Sequence, residues 1–228
     1  MDYSKVISKI KPNIALVVAF NKDGSPLGQG SGFVFGKKNI LVTCNHVALA
    51  NASIKIRFSD SEFLDAEVVI RDIEHDLALL KFNVVNRSPL VAANQDVIQE
   101  GIPVIFSGYP LGLSNLTTHQ GILSAILTDP TGMTTYLIDG TVNSGNSGCP
   151  LMTHNGGVIG VINAKRRENS DVLNQVENMP FGALSIHNVD IVKIYNALIN
   201  NVQLGMGYAV PCSYIPIHKE SEKKENKK

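Results

Sequence analysis

The sequence lacks most of the features that mark a disulfide-stabilised, membrane-spanning or nucleic-acid-binding protein. It has no tryptophan and only three cysteines, an odd and low number for a chain held together by disulfides. Lysine plus arginine and aspartate plus glutamate number 20 each, so no bulk charge attracts nucleic acid or an anionic membrane. The apolar run 14–20 is too short to cross a bilayer, and no cleavage pattern of small residues follows it. We therefore expect a cytoplasmic protein that binds neither nucleic acid nor a membrane.

The cysteines and histidines also lack the spacing of a metal site. Cys44, Cys149 and Cys212 are widely separated, and the six histidines show no ligand spacing with them. We expect no metal and no other cofactor, and each cysteine is predicted to be a small buried or semi-buried hydrophobe.

Short strand signals fill the chain between residues 14 and 164. The segment "SIKIRF" alternates polar and apolar residues, as a half-buried strand does, whereas "VIGVI" is apolar throughout and indicates a strand covered on both faces. Turn signals rich in Gly, Pro, Asn and Asp separate the segments. The predicted strands are 14–20, 30–36, 39–47, 53–59, 64–72, 77–83, 103–110, 116–127, 134–140 and 156–164.

Helical periodicity is confined to the two ends of the chain. Residues 2–10 predict a short amphipathic helix, and residues 188–202 place apolar side chains on one helical stripe, with Asn188 or Asp190 as a cap. Many short strands with helices only at the ends predict an all-β protein, either a sandwich or a pair of barrels. A division near residues 88–102 separates two groups of strands.

The run "TVNSGNSGCP" at 141–150 is the first candidate for a functional site. Gly145 permits backbone angles closed to other residues, so the N–H groups of Gly145 and Ser147 can point at one spot beside the Ser147 hydroxyl. Two convergent donors beside a nucleophile form an oxyanion hole. Taken alone, Gly-Asn-Ser-Gly is also an ordinary surface turn, in which Ser147 has no chemical role.

Two other contexts could supply a base and a carboxylate. His46 follows an apolar strand in "LVTCNHV", and Asp76 leads into the apolar run of "HDLALLK". An aspartate at the edge of a core strand needs a hydrogen-bond partner, because burying it unpaired costs about 3–5 kcal/mol. Singly, each residue has a simpler interpretation, as a packed histidine and as a turn-capping aspartate. Asp72 and Glu74 are rival carboxylates outside the apolar run.

The order of these contexts and four longer stretches resemble the trypsin-like (chymotrypsin-fold) serine proteases, most closely their HtrA/Deg branch. His, Asp and Ser follow each other in the chain order of the double β-barrel enzymes. The matching stretches are "GQGSGFVFGKKNILVTCNHV", "HDLALLK", "SGYPLGLSNLTTHQGILSAI" and "LIDGTVNSGNSGCPLM". The segment "PFGALSIHNVDIVKIYNAL" is also similar to the last strand and C-terminal helix of these proteases.

The resemblance covers most of residues 14–200 and implies two six-stranded antiparallel β-barrels with a short N-terminal helix and a C-terminal helix. The implied protease domain spans 1–204, and residues 205–228 are expected to form an extension with a disordered charged tail and no PDZ domain. The implied parts of the domain are an N-terminal barrel at about 12–90, a C-terminal barrel at about 100–187 and a helix at 188–202.

The same resemblance implies a serine endopeptidase that works through an acyl-enzyme. It makes Ser147 the nucleophile, His46 the general base and acid, and Asp76 the orienting carboxylate. It assigns the Gly145 and Ser147 N–H groups to the oxyanion hole. No acidic residue stands at Thr141, the implied base of the specificity pocket, so small or medium apolar side chains are expected before the scissile bond. The implied substrate-binding residues are Thr141, Val161, Ile162, Asn163, Ala183 and Leu184.

Two residues depart from the family pattern within the nucleophile run. Cys149 stands where the family has glycine, and Ser144 stands where it has proline. A protein or peptide substrate is the expected partner, together with either a homotrimer or a partner protein that activates the triad. Two alternatives remain open: a catalytically silent or activation-dependent peptide-binding module, and a hydrolase that uses the same triad on a non-peptide ester.

Overall fold

The computed structural model describes residues 2–83, 87–163, 175–176, 179–187, 189–195 and 205–217. The chain divides into two compact units, one formed by residues 1–164 with 205–228 and the other by residues 165–204. The first unit contains both barrels.

The first barrel is a closed, antiparallel, six-stranded sheet in the order β1-β2-β3-β6-β5-β4. A helix at Ser4–Ile10 (α1) and a 3₁₀ turn at Lys11–Asn13 precede it, as the sequence predicts for the N-terminal helix. The "SIKIRF" strand buries alternate residues, whereas β3 is buried throughout because both of its faces are covered. The strands of the first barrel are Ile14–Phe20 (β1), Pro26–Val34 (β2), Ile40–Cys44 (β3), Ser53–Phe58 (β4), Leu64–Asp72 (β5) and Leu77–Phe82 (β6).

The second barrel is also closed, antiparallel and six-stranded, in the order β10-β11-β14-β9-β8-β7. The two closed barrels confirm the predicted architecture, and each of the ten predicted strand segments overlaps an observed strand. The strands of the second barrel are Pro103–Gly108 (β7), Thr117–Thr128 (β8), Thr134–Asp139 (β9), Pro150–Thr153 (β10), Val158–Asn163 (β11) and Met206–Pro211 (β14).

The strand β14 corrects the expected boundary of the protease domain. The domain was expected to end at 204, but β14 lies beyond that residue and pairs with both β11 and β9 to close the barrel. The sequence signal was weak because the buried face of β14 begins with Gly207 and Ala209, whose small side chains give no apolar run. The expected end of the C-terminal barrel at about 187 is therefore too early.

In the unit 165–204, a short two-stranded sheet pairs Ser185–Ile186 (β12) with Val189–Asp190 (β13). Residues 191–195 are helical, and the Asp190 carboxylate caps them by accepting the Lys193 N–H at 3.1 Å. The predicted helix 188–202 therefore begins too early, because 189–190 is extended. Its remainder, from 196 to 202, lies outside the described residues.

The C-terminal segment after β14 packs on both barrels. A 3₁₀ turn at Cys212–Tyr214 places the Tyr214 ring on His75 of the first barrel at a centroid distance of 4.2 Å. The Tyr214 hydroxyl accepts the Thr134 N–H of the second barrel at 3.0 Å. Residues 205–217 are thus an integral part of the fold, whereas the expected disordered tail falls at 218–228, outside the described residues. Among the described residues, no helix has the length and apolar character that a membrane crossing requires.

Candidate active site

His46 and Asp76 meet at one end of the first barrel through two hydrogen bonds. His46 Nδ1 lies 2.6 Å from Asp76 Oδ2, and the His46 backbone N–H donates to Asp76 Oδ1 at 2.9 Å. A carboxylate can only accept, so Nδ1 carries the proton and Nε2 is left as the acceptor on the far side of the ring. The two side chains are 21% and 24% exposed, so the pair is partly shielded yet reachable. This arrangement is suited to a base whose ring is held in one tautomer.

The backbone explains why these two residues meet. His46 follows β3 and Asp76 precedes β6, and these two strands are hydrogen-bonded neighbours in the barrel. The Asn45 N–H donates to the Asp76 carbonyl at 2.8 Å, which extends the pairing beyond the strand ends. Asp76 adopts a left-handed conformation with φ of 54°, which turns the chain into β6. His75 instead pairs with Asp72, at 3.0 Å from its Nδ1.

Ser147 lies in the turn that leads into β10, and this turn is built from two consecutive internal hydrogen bonds. The Asn146 N–H donates to the Asn143 carbonyl at 2.9 Å, and the Cys149 N–H donates to the Asn146 carbonyl at 3.0 Å. Ser147 is only 5% exposed. The turn therefore has a defined and largely buried backbone, unlike that of an ordinary surface loop.

Two glycines in this turn have left-handed backbones and tight surroundings. Gly145 has φ of +94°, and a Cβ there would overlap the Tyr109 carbonyl. Gly148 has φ of +87°, and a Cβ there would overlap the Ser31 carbonyl. Only glycine combines this conformation with so close an approach of another chain segment.

Three backbone hydrogen bonds attach the turn to both barrels. The Leu111 N–H donates to the Ser144 carbonyl, the Ser31 N–H to the Ser147 carbonyl, and the Gly148 N–H to the Ile162 carbonyl, each at 2.8 Å. A trans peptide points its N–H opposite to its carbonyl. The bond from Leu111 therefore directs the Gly145 N–H to the other side of the 144–145 peptide, and among the described residues this N–H has no hydrogen-bond partner.

The expected substrate-binding strand has a different environment from the one that the resemblance implies. Strand β11 is interior, because β10 pairs with one of its edges and β14 with the other. The Ile162 N–H donates to the Cys149 carbonyl, and the Ile162 carbonyl accepts the Gly148 N–H. Backbone pairing of Val161 and Ile162 with a substrate is therefore wrong, since neither edge of the strand is open there. The Asn163 side chain instead donates to Asp76 Oδ2 at 3.0 Å.

The residues expected at the specificity pocket are divided between the two units. Thr141 is exposed and precedes the half-buried Val142, which lies so close to Gly207 of β14 that a Cβ on that glycine would overlap it. Ala183 and Leu184 are exposed residues of the unit 165–204, and their place in a pocket stays a prediction.

The two cysteines near the site are buried thiols. Burial, with the Asp76 charge as a smaller contribution, raises the pKa of Cys44, whose thiol donates to the Ile162 carbonyl at 3.2 Å. Burial also raises the pKa of Cys149 well above its usual range. Cys149 does not have a positive φ, so a side chain is tolerated where the family has glycine. Both thiols, like that of Cys212, are buried as predicted.

Ligand atoms of Cys44, His46 and Asp76 lie within 4.8 Å of one another, the one such cluster among the described residues. His46 Nδ1 and Asp76 Oδ2 are already in direct contact at 2.6 Å, and the thiol is used by a carbonyl. A metal would have to break these bonds, so the cluster fits a hydrogen-bonded pair better than a metal site. The expectation that the protein uses no metal stays a prediction.

Sequence reasoning missed one residue of the site and assigned a second to another role. Ser31, in the "GSG" part of a quoted motif, was given no role, although it contacts the Ser147 backbone. Asn163 was assigned to substrate through its backbone, whereas its side chain contacts Asp76. Contacts between residues more than 80 positions apart leave no local signal in a single sequence.

Comparisons with known proteins point to one family. A model described as the trypsin-like peptidase domain matches residues 30–161. A probable periplasmic serine endoprotease of the DegP-like type from Brucella suis is 37% identical over 142 residues, which are 60% of this chain and 27% of that protein. A Do-like HtrA serine protease from Lactococcus lactis subsp. cremoris is 34% identical over 192 residues, 77% of this chain and 46% of that protein.

A solved structure shares the fold. The HtrA-type protease AlgW, solved with a tripeptide, is 24% identical, with a TM-score of 0.71 over 93% of this chain and 60% of its own. This chain therefore spans less than two thirds of the length of these relatives.

Proposed function

Because this chain belongs to the trypsin-like peptidase family and has HtrA/Deg-type serine proteases among its relatives, we propose that it is a serine endopeptidase that hydrolyses peptide bonds through an acyl-enzyme. Ser147 is the nucleophile, His46 the general base and acid, and Asp76 the carboxylate that orients His46. The observation that carries this proposal is the contact of His46 Nδ1 with Asp76 Oδ2 at 2.6 Å.

That contact supports the role of His46 in each half of the reaction. With Nδ1–H donated to Asp76, Nε2 is the basic nitrogen that takes the proton from the Ser147 hydroxyl as it attacks the carbonyl carbon. The imidazolium so formed is stabilised by the carboxylate and returns its proton to the leaving amine. Water then repeats the sequence on the acyl-enzyme, and Ser147 is regenerated.

The negative oxygen of the tetrahedral intermediate is assigned to the Gly145 and Ser147 N–H groups. The left-handed Gly145 and its unpaired N–H support this assignment, because a donor aimed at developing charge contributes most when no protein acceptor competes for it. The loss of one such donor lowers kcat by about 10²–10³-fold in a well-studied serine protease.

A catalytically silent peptide-binding module is not favoured. Such a module has no need of the close His46–Asp76 contact or of a glycine turn this tightly packed. The ester hydrolase would use the same triad, and substrate tests separate it from a peptidase.

The proposed side chain before the scissile bond is small or medium and apolar. Residues 141–144 carry no charge, and the half-buried Val142 adds apolar surface beside β14. Protein or peptide substrates follow from the proposed reaction. A homotrimer or an activating partner protein is proposed from the HtrA-type relatives.

A fluorophosphonate probe tests the proposal directly. The wild-type protein should be labelled on Ser147 and should cleave casein as well as simple esters, and Ser147→Ala should lose both labelling and cleavage. Ser107→Ala, which removes another buried hydroxyl, should keep both. The absence of labelling in the wild type, with or without peptide, would contradict the enzyme assignment.

The cellular location needs its own test. Several relatives are described as periplasmic proteins, so a cytoplasmic location of this chain stays a prediction. Cell fractionation of the producing organism distinguishes the two compartments.

A further inference from the structure

Ser31 belongs to the first barrel but contacts the nucleophile turn of the second barrel twice. It lies on β2 and is 0% exposed. Its backbone N–H donates to the Ser147 carbonyl at 2.8 Å, and its hydroxyl donates to the Gly145 carbonyl at 2.7 Å. One residue therefore holds two carbonyls of the turn that are two positions apart.

These two carbonyls flank the peptide that carries the second oxyanion donor. The Ser147 N–H belongs to the 146–147 peptide. The Gly145 carbonyl belongs to the preceding 145–146 peptide, and the Ser147 carbonyl belongs to the following 147–148 peptide. Because each peptide is planar and rigid, holding the plane on either side restricts the rotation of the one between them. Ser31 therefore acts on the direction of the Ser147 N–H and on the position of the Ser147 side chain, without touching substrate.

The Ser31 hydroxyl is itself held in one orientation. Its oxygen accepts the Tyr109 N–H at 2.9 Å, which leaves its own hydrogen for the Gly145 carbonyl. The Thr43 hydroxyl donates to the Ser31 carbonyl at 2.7 Å. Gly108 approaches so closely that a Cβ there would lie 2.6 Å from Ser31 Oγ. The side chain is thus enclosed by bonded partners and a glycine, which leaves it little freedom to rotate away.

The Asn146 side chain, at the centre of the turn, does not do this work. Asn146, next to the nucleophile, is 0% exposed, and neither its amide nitrogen nor its amide oxygen has a partner among the described residues. The Asn146 amide therefore supplies no substitute for the hydrogen bond that the Ser31 hydroxyl donates to the Gly145 carbonyl. Removal of the Ser31 hydroxyl would leave the Gly145 carbonyl buried without that donor.

We propose that Ser31 is a positioning residue for the oxyanion hole and the nucleophile, and that it couples the first barrel to the catalytic turn of the second. This inference rests on the proposed function, since an oxyanion hole has a role only if the protein hydrolyses an acyl bond. Under this proposal, Ser31 contributes to stabilisation of the transition state and not to the binding of substrate.

The test compares Ser31→Ala with Ser107→Ala. Ser107 is also 0% exposed, and its hydroxyl contacts the Thr118 hydroxyl at 2.8 Å, so its substitution also removes one buried hydroxyl. The measurements are kcat and KM on a peptide substrate, the affinity for a peptidyl boronic acid whose adduct places an oxygen in the oxyanion hole, and Tm as a control for folding.

Ser31→Ala should lower kcat at least about tenfold, because a small misplacement of catalytic groups costs up to about 100-fold. KM should change less than about twofold, and the boronic acid should lose affinity by the same factor as kcat. Ser107→Ala should lower Tm comparably and leave kcat unchanged.

Two results would overturn the inference, and only the second would also overturn the proposed function. If the wild type is active and Ser31→Ala has the kcat of Ser107→Ala, Ser31 is only structural and the proposed function stands. If the wild type neither labels with a fluorophosphonate nor cleaves any substrate, the proposed function fails and this role of Ser31 fails with it.

Discussion

The Asn163 side-chain amide donates to Asp76 Oδ2 at 3.0 Å. That oxygen is the one that His46 Nδ1 contacts, so a residue at the end of β11 in the second barrel donates to a carboxylate of the first. A carboxylate held by several donors keeps its orientation, and that orientation is needed to hold one tautomer of histidine. The site is therefore assembled across the two barrels at more than one point.

Asn163→Ala should lower kcat about tenfold with little change in KM, because a hydrogen bond to a charged group contributes about 1.5–3 kcal/mol and this one acts on the base. Steady-state kinetics on a peptide substrate measure both constants. Asn45→Ala is the matched control, since the Asn45 side chain contacts Arg71 and not Asp76. A rise in KM with unchanged kcat would instead assign Asn163 to substrate binding.

Gly148→Ala should destabilise the protein far more than Gly132→Ala. Both glycines have φ of +87°, so each substitution strains the backbone by about 1–2 kcal/mol. A Cβ at Gly148 would also overlap the Ser31 carbonyl, whereas nothing lies within 4 Å of a Cβ at Gly132. Urea unfolding measures the free energy of each variant. Equal losses in the two variants would mean that the packing around the nucleophile turn is loose.

The ion pair of Asp60 with Arg87 should make stability depend on pH in the acid range. The Arg87 guanidinium, through its hydrogen bond to Asp60, lowers the pKa of that carboxyl from its usual value of 3.8. A lowered pKa in the folded state means that the stabilisation is present above pH 3.8 and is lost as the pH falls through the folded-state value. Asp60→Asn should therefore lower the unfolding free energy at pH 7 and approach the wild type as the pH falls below 3.8 and through the lowered pKa of Asp60.

The matched control for this pair is Asp65→Asn. Asp65 Oδ1 lies 3.5 Å from Lys55 Nζ, and the Asp65 side chain is 85% exposed. Removal of its charge should therefore change the free energy of unfolding little at any pH. Urea unfolding of the three proteins between pH 2 and pH 7 measures the effect. A difference between Asp60→Asn and wild type that does not shrink in acid would assign the stabilisation to packing of Arg87, whose guanidinium also lies 4.2 Å from the Phe58 ring centroid.

Removal of residues 205–228 should prevent folding, whereas removal of 218–228 alone should not. The longer truncation deletes β14, which pairs with β11 and β9 and closes the second barrel. The unpaired edges left on these two strands would expose backbone donors and acceptors. Circular dichroism and size-exclusion chromatography of the two shortened proteins measure folding. A monomeric, cooperatively unfolding 1–204 fragment would show that β14 is dispensable.

Local sequence features predicted those parts of the fold whose side chains repeat a pattern. Alternation and apolar runs marked the strands, and the predicted bounds 14–20 and 64–72 are those of β1 and β5. The strand β14 was missed because glycine and alanine fill its inner face. The extended pair at 189–190 was included in the predicted helix because Asn188 and Asp190 are both capping residue types, and the structure uses Asp190.

By itself, the residue pattern determined an all-β fold and which residues have the chemistry of a triad, since both depend on residue type and order along the chain. The choice of two barrels over a sandwich came from the resemblance of the motifs to a known family. The tertiary structure decided which groups those residues meet. It gave Asp76 donors from the backbone and ring of His46 and from the Asn163 side chain. It also attached Gly145 and Ser147 to Ser31, 114 and 116 positions earlier in the chain. Such contacts depend on how the two barrels close and pack together, which leaves no periodic trace in the residues that make them.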